Sequence, residues 1–241
     1  MSDTNLISTA VIVGGSSAIG MALARLWAAD TARSVIVLSR SDLEIPGVRT
    51  IVTDYSDGSL ATAAEEIRLA GLPLARLVVT NGILSNETIR PERKVGDLNP
   101  DAFSTVMSVN ALLPMRSLAA FWSLIRQSED PRIAILSARV GSLEDNQLGG
   151  WYSYRASKAA LNMMMKCAAV DLRRVNKQAK LIAYHPGTVD SPLSKPFQRS
   201  VPDGKLFTPE FSALRLIEIL DNTLPNGDLD YVDWAGKSIP W

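Results

Sequence analysis

The stretch VIVGGSSAIG, residues 11–20, indicates the fold: an apolar β-type run, a glycine-rich turn and the start of a helical pattern. Gly14 permits the tight turn, and Gly20 permits close packing of the helix on the strand. Amide groups at the helix N-terminus, together with the hydroxyls of Ser16 and Ser17, can hold a pyrophosphate. The same pattern is also typical of an ordinary strand–turn–helix unit. Its meaning therefore depends on the rest of the chain.

Short β-type runs alternate with longer helical patterns along the chain. The predicted strands are Ala10–Val13, Ser34–Ser39, Thr50–Thr53, Arg76–Thr80, Arg132–Ser137, Lys180–Tyr184 and Tyr231–Trp234. The predicted helices are Ile19–Ala29, Ser59–Ala70, Pro100–Gln127, Tyr152–Val175 and Pro209–Asn222. Such alternation is typical of βαβ units, and continuously apolar strands indicate a sheet that is covered on both faces. We expect an α/β fold with a Rossmann-type, doubly wound parallel sheet of about seven strands.

No internal repeat or linker divides the sequence, so we expect one dinucleotide-binding domain over residues 1–241. Two segments are irregular. Residues 84–99 carry several charges, and residues 187–208 contain three prolines. A long loop in a compact domain is commonly functional. We therefore predict that residues 187–208 form a lid over the substrate.

The composition argues against several classes of function. Lys plus Arg and Asp plus Glu both number 25, so no net charge favours nucleic acid or an anionic membrane. The only cysteine, Cys167, excludes an internal disulfide, and its apolar surroundings predict a buried thiol. The only histidine, His185, cannot form a multi-histidine zinc site; we predict no metal and a structural or turn role for it. The apolar run Leu6–Val13 is too short for a signal peptide or a membrane span, so we expect a cytoplasmic protein.

Arg40 follows Gly20 by 20 residues, at the end of the second predicted strand. An acidic residue near this place would bond the ribose 2′-hydroxyl of NAD, whereas an arginine suits the 2′-phosphate of NADP. Asp42 is a nearby acid that leaves NAD possible. The expected cofactor is NADP.

Tyr154 and Lys158 are four residues apart, so they lie on one face if their segment is helical. A free tyrosine titrates near pH 10, and a charge at about 4 Å supplies roughly 4 kcal/mol at an effective dielectric near 20. That energy corresponds to a phenol pKa lowered by about three units. The pair is a candidate proton donor, although the same spacing is usually a solvated helix face.

Together these elements resemble the classical short-chain dehydrogenases/reductases over nearly the full length of the chain. The matching motifs are Gly14–Gly20, Asp54, Asn81-Gly82, Asn110, Tyr154 with Lys158, and Pro186-Gly187-Thr188-Val189-Asp190-Ser191. Residues 149–158 and the ending 238–241 look like the branch that contains bacterial C-factor and similar carbonyl reductases.

The resemblance implies a role for each matching residue. Tyr154 would be the general acid/base, Lys158 would lower its pKa and bond the nicotinamide ribose, and Asn110 would hold a water. Asp54 would reach the adenine edge, and Val189 would bond the carboxamide. The predicted cofactor-binding residues are Gly14, Ser16, Ser17, Ile19, Gly20, Arg40, Asp54, Asn81, Gly82, Tyr154, Lys158, Pro186, Gly187, Val189 and Ser191.

One departure from the family pattern concerns the catalytic serine. The family usually ends its fifth strand with two serines, and here Ala138 falls at the second position. Ser137 or Ser142 is the candidate replacement, and we favour Ser137 because it ends the strand. Losing one donor to a developing oxyanion costs about 10²–10³ in rate. A nucleotide-binding signalling or interaction protein with little turnover is therefore the alternative to an NADPH-dependent carbonyl reductase.

The sequence predicts a small carbonyl or alcohol substrate without naming it. Trp151, Tyr152 and the 187–208 segment are expected to line its pocket above the carboxyl ends of the strands. The broad apolar face of helix Tyr152–Val175 is typical of packed core, and in the family it often forms a dimer seam. We expect a homodimer or homotetramer.

Overall fold

The computed structural model describes residues 8–30, 32–71 and 73–241. The first two residues of the run Leu6–Val13 lie outside these ranges. Helices cover both faces of a seven-stranded parallel sheet, and this arrangement confirms the predicted fold class. None of the helices within these ranges combines the length and the apolar composition that a membrane span requires.

The seven strands lie in the order β3-β2-β1-β4-β5-β6-β9. Their bounds are β1 Ser8–Val13, β2 Arg33–Ser39, β3 Val48–Val52, β4 Leu74–Val79, β5 Arg132–Leu136, β6 Lys180–His185 and β9 Leu229–Asp233. β1 pairs with β2 on one side and with β4 on the other. The strand order therefore reverses beside β1, which is the place where open α/β sheets bind ligands at the carboxyl ends of the strands.

The helices are α1 Ala18–Ala28, α2 Asp57–Leu69, α3 Pro100–Met107, α4 Leu113–Ala120, α5 Trp122–Gln127, α6 Tyr152–Val175 and α7 Pro209–Asn222. Buried side chains of α2, α4, α5 and α6 join the core on one face of the sheet. Those of α1 and α7 join the core on the other face. Alternate residues of β1 enter each core, with Val11 on one side and Ile12 on the other. Burial on both faces explains the continuous apolar runs.

The single helix predicted over Pro100–Gln127 is wrong, because the structure divides it into α3, a π-helical turn, α4 and α5. The π-helical turn spans Ser108–Leu112, and the Leu113 N–H donates to the Ser108 carbonyl, five residues back. Pro114, in the first turn of α4, has no N–H to donate. The wide turn therefore comes just before a proline, and it contains Asn110.

The irregular segment 187–208 contains two short strands, β7 Thr188–Val189 and β8 Leu206–Phe207, which pair in parallel. This pairing joins the two ends of the segment, and a 3₁₀ turn over Lys195–Ser200 lies between them. The buried thiol predicted at Cys167 is wrong, because Cys167 is exposed. Its position lies outside the buried stripe of α6, which includes Leu161, Met165 and Leu172.

Candidate active site

The glycine turn connects β1 to α1 at the carboxyl edge of the sheet. Gly14 has a φ of +89°, and a methyl group on it would lie 2.6 Å from Thr80 Oγ1. A methyl group on Gly20 would lie 2.7 Å from the Gly14 carbonyl oxygen. Ser17 caps α1, since its Oγ accepts from the Gly20 N–H at 2.9 Å and donates to Thr80 Oγ1 at 2.8 Å. Ser16 is exposed in this turn.

Thr80 holds the glycine turn, a role that the sequence pattern did not predict. Its hydroxyl donates to the Gly14 carbonyl at 2.8 Å and to the Val13 carbonyl at 3.1 Å. The pairing of Val13 with Val79 places Thr80 beside Gly14. The signal for this role was the position of Thr80 at the end of the fourth predicted strand, next to the first.

The side chains predicted to bind the adenosine half of the cofactor lie at the ends of β2, β3 and β4. Arg40 is exposed after β2, and among the described residues no carboxylate lies within ion-pair distance of it. Burial raises the pKa of Tyr55, and the nearby Arg40 charge opposes this rise. Asp54 accepts from Ser59 Oγ at 2.6 Å and from the Ser56 N–H at 2.8 Å, and these bonds lower its pKa to about 2. In this arrangement the Asp54 carboxylate stabilises the beginning of α2.

Asn110 connects the end of β4 to α6. It is fully buried, its Oδ1 accepts from the Ile83 N–H at 2.7 Å, and its Nδ2 donates to the Ile83 carbonyl at 2.8 Å. Nδ2 also donates to Ser157 Oγ at 3.1 Å. A methyl group on Gly82 would lie 3.6 Å from Asn110 Oδ1 and 4.0 Å from Lys158 Nζ. Gly82, Asn110 and Lys158 therefore converge at one place.

Tyr154 and Lys158 lie one helical turn apart near the beginning of α6. Lys158 is 3% exposed, its Nζ donates to the Leu136 carbonyl at 2.8 Å, and it lies 5.9 Å from the centre of the Tyr154 ring. Burial raises the pKa of Tyr154 to about 12 and lowers that of Lys158 to about 8. The lowered Tyr154 pKa expected from the sequence is not found. Burial disfavours the charged form of each group, and Nζ is bonded to a carbonyl rather than to the phenol.

The three candidate positions for the catalytic serine lie after β5, which ends at Leu136, and have separate environments. Ser137 is buried, and its hydroxyl donates to Asn162 Oδ1 at 2.6 Å. Ala138 is also buried, and its carbonyl accepts from the Tyr231 hydroxyl at 2.6 Å. Ser142 Oγ accepts from the Asp145 N–H at 3.0 Å. Each serine hydroxyl therefore already has a partner within the protein.

The 187–208 segment begins just after β6, which ends at His185. Burial, followed by the charge of Arg139, lowers the pKa of His185 to about 4, so this side chain is neutral at neutral pH. Pro186 follows, and Gly187 has a φ of +76°; a methyl group on it would lie 2.6 Å from the Phe207 ring. The Val189 carbonyl accepts from Ser191 Oγ at 3.2 Å and from Ser194 Oγ.

An aromatic chain connects this segment to the proposed proton donor. Trp151 lies edge-on to Tyr154, with ring centres 6.1 Å apart, and edge-on to Phe197, with ring centres 5.1 Å apart. Trp151 has a φ of +52°, which is a strained backbone for a bulky residue. Tyr152, predicted to line the pocket with Trp151, is exposed.

Comparisons with known proteins agree with this geometry. The family described as short chain dehydrogenase matches residues 8–201. A 1-hydroxy-2-glutathionyl-2-methyl-3-butene dehydrogenase from Rhodococcus sp. (strain AD45) is 30% identical over 240 residues, which cover 98% of this chain and 100% of that protein. The C-signal protein of Myxococcus xanthus is 33% identical over 147 residues, covering 61% of this chain and 83% of that protein.

Among solved structures, the NADPH-bound carbonyl reductase from chicken fatty liver has a TM-score of 0.83 at 21% identity. The alignment covers 98% of this chain and 94% of that one. This likeness shows the shared fold. Because the family match spans most of the sequence and the Rhodococcus relative spans nearly all of it, the chain belongs to the short chain dehydrogenase family and is an NAD(P)-dependent oxidoreductase.

Proposed function

We propose that the protein reduces a carbonyl substrate with NADPH, and that Tyr154 is the proton donor. The observation that carries this proposal is the convergence of the Tyr154–Lys158 pair with Gly82 and Asn110 at the carboxyl edge of the sheet. The glycine turn lies at the same edge, where a dinucleotide binds in folds of this kind. A purely structural role would not explain why these side chains converge at one place.

The residues present fit a dinucleotide. The buried Asn81 Oδ1 has no hydrogen-bond partner among the described residues, so a polar group of a ligand can satisfy it. The beginning of α1 offers backbone N–H groups to a pyrophosphate. When bound, the nicotinamide supplies a hydride. Ser16, Ile19 and the other predicted cofactor residues of the turn would hold the phosphates, and Pro186, Gly187, Val189 and Ser191 would hold the nicotinamide end.

Arg40 supports NADP rather than NAD. Its guanidinium is exposed at the end of β2, where an arginine accommodates the 2′-phosphate. Solved structures of similar fold contain bound NADP or NADPH, including one from Burkholderia multivorans. Asp54 would turn its carboxylate to the adenine while it keeps its bonds to Ser56 and Ser59.

Tyr154 donates the proton from its hydroxyl to the carbonyl oxygen of the substrate. Since its pKa is about 12, the phenol is protonated at neutral pH and ready to donate. Lys158, with a pKa of about 8, is then positively charged. With Nζ 5.9 Å from the centre of the Tyr154 ring and an effective dielectric near 20, this charge stabilises a negative charge on the ring system by about 3 kcal/mol. Below a pH of about 8, the Tyr154 phenol is therefore protonated and Lys158 is charged, and these are the states that reduction requires.

For a second hydrogen bond to the substrate oxygen, Ser137 remains our candidate. Its hydroxyl would exchange Asn162 Oδ1 for the substrate. Using Ser142 instead would remove the acceptor of the Asp145 N–H and release the loop that it holds. The single domain over residues 1–241, the 187–208 lid, an assembly of two or four copies and a cytoplasmic location also remain predictions.

The test is NADPH oxidation against a panel of aldehydes, ketones and quinones, with native protein and Tyr154→Phe. The panel includes a glutathione-conjugated alcohol, assayed in the oxidative direction, because the Rhodococcus relative is named for such a substrate. We expect turnover that falls about 10²- to 10⁴-fold in Tyr154→Phe. Equal rates for the two proteins would contradict the proposal.

The second candidate is a nucleotide-binding signalling protein with little turnover. It rests on Ala138 and on the likeness to the C-signal protein. That likeness covers 61% of the chain, whereas the likeness to the dehydrogenase covers 98%, so the enzyme is favoured. Tight NADPH binding without turnover on any member of the panel would support this second candidate instead.

A further inference from the structure

Glu92 is a buried carboxylate outside the set of residues assigned above. It lies in the irregular segment 84–99 and is 5% exposed. Among the described residues, no Lys, Arg or His side chain lies within ion-pair distance of it. Its carboxylate accepts from the Ser153 N–H at 3.2 Å and from the Ser153 hydroxyl. Its carbonyl accepts from the Trp151 N–H at 2.6 Å.

These three bonds all reach the beginning of α6, which lacks a cap of its own. The residue before the helix is Trp151, and its side chain accepts no hydrogen bond from the first turn. The first N–H groups of a helix need acceptors, and the positive end of the helix dipole favours a carboxylate there. Glu92 therefore provides, from 61 positions earlier in the chain, the cap that α6 does not provide for itself.

Tyr154 directly follows Ser153, so Glu92 holds the turn from which the phenol projects. A small cavity is lined by Glu92, Ser153 and Tyr154 together. We propose that Glu92 is a positioning residue for catalysis: by capping α6 through Ser153, it fixes the Tyr154 hydroxyl relative to Lys158. The inference rests on the proposed function, because it takes Tyr154 as the proton donor.

A positioning role differs in measurable ways from a purely structural one. General destabilisation would lower the folded fraction and weaken NADPH binding together with turnover. Misplacing the phenol lowers kcat while the folded protein still binds NADPH, because the glycine turn lies on β1 and α1. An error of about 1 Å in a reacting group can cost about 100-fold in rate.

The main experiment compares Glu92→Ala with Glu92→Gln. In Glu92→Ala we expect kcat to fall about 10- to 100-fold, with the Kd of NADPH changed less than about threefold. Glu92→Gln should recover kcat to within about fivefold of native, because its amide oxygen can accept from the Ser153 N–H and its NH₂ can donate to the Ser153 hydroxyl. Near-UV circular dichroism confirms that each variant is folded.

Ser153→Ala removes the hydroxyl half of the contact and keeps the helix N–H. We expect Ser153→Ala to lose less kcat than Glu92→Ala. The double variant should lose less kcat than the product of the two single losses, since both side chains act through one contact. If Glu92→Ala does not fold, Ser153→Ala decides the question by the same readouts.

Asp97→Ala is the matched control. Asp97 lies in the same segment, is exposed, and accepts from the Arg93 and Lys94 N–H groups within its own turn. It should leave kcat unchanged. The inference is overturned if Ser153→Ala and the folded Glu92 variants keep native kcat, or if Asp97→Ala loses as much kcat as Glu92→Ala. Tyr154-independent turnover would instead overturn the proposed function.

Discussion

Lys158 is buried and Tyr154 lies partly buried beside it, and desolvation shifts the pKa of each toward the neutral form of the group. For Lys158 the pKa falls from 10.5 to about 8, and for Tyr154 it rises from 10.0 to about 12. A buried ammonium whose best bond is to a carbonyl is costly to the fold while it is charged. In the proposed mechanism the same charge stabilises the Tyr154 phenolate, so function at this site would come at some cost in stability.

This cost predicts a pH dependence of stability. Between pH 8 and 10.5 the unfolded chain binds more protons at Lys158 than the folded chain does, so the free energy of unfolding rises with pH through this window. The fall of the Lys158 pKa to about 8 corresponds to about 3 kcal/mol in the free energy of unfolding. Tyr154 acts with the opposite sign, but only above about pH 10.

Urea unfolding at pH 7.5 and pH 9.5, compared between native protein and Lys158→Met, measures this effect. We expect a rise with pH in the native protein that Lys158→Met lacks, with Lys158→Met more stable at the lower pH. Lys166→Met is the control, because Lys166 lies on the same helix with its side chain 44% exposed and paired with Asp228. Parallel stability curves for native protein and Lys158→Met would contradict the shifted pKa.

At the scale of elements, β7 and β8 join the two ends of the 187–208 segment, and Phe197 brings its middle against Trp151. The segment is therefore in contact with Trp151, the residue that precedes α6 and whose ring lies edge-on to that of the proposed proton donor. Aromatic pairs of this kind contribute about 0.5–1.5 kcal/mol beyond the area that they bury.

We predict that Phe197→Ala lowers kcat/KM for the carbonyl substrate by about 2- to 12-fold, because that pair energy no longer holds the segment over the site. Steady-state kinetics measure it, with exposed Arg199→Ala as a control in the same turn. A double-mutant cycle with Trp151→Leu should show coupling between the two rings. Additive losses in the cycle would show that the contact does not act as a unit.

At the scale of the whole molecule, cofactor binding should stabilise the fold by mass action. At a concentration of 100 times Kd the gain is about 2.7 kcal/mol, which for a chain of this size raises Tm by about 5–10 °C. Since Arg40 is proposed to accommodate the 2′-phosphate, we predict that NADPH raises Tm more than NADH at equal concentration, and that Arg40→Ala removes the difference.

Differential scanning fluorimetry with both nucleotides measures these shifts. Asp42→Asn is the control for the nearby acid and should keep the NADPH advantage. A larger Tm shift with NADH than with NADPH in the native protein would reverse the cofactor assignment.

Periodicity and spacing predicted the sheet well because a strand buried on both faces must be apolar throughout, as in residues 35–38 of β2. The break within Pro100–Gln127 was not predicted, because a π-helical turn depends on the tertiary contacts of the side chains within it. There, Asn110 must meet Ile83, 27 residues away. The role of Glu92 was also missed, since an acid in a charged loop carries no local sign of burial.

The sequence by itself determined the alternating strands and helices, the glycine turn and the four-residue spacing of Tyr154 and Lys158, because these follow from local backbone geometry and side-chain periodicity. Only the tertiary structure decided which groups are buried and which polar atoms meet. It turned the Ser137 hydroxyl toward Asn162, brought Glu92 to the beginning of α6 and shifted the pKa of both Tyr154 and Lys158 toward the neutral form. Desolvation and hydrogen bonding between distant segments depend on packing in three dimensions, and no short stretch of sequence contains that information.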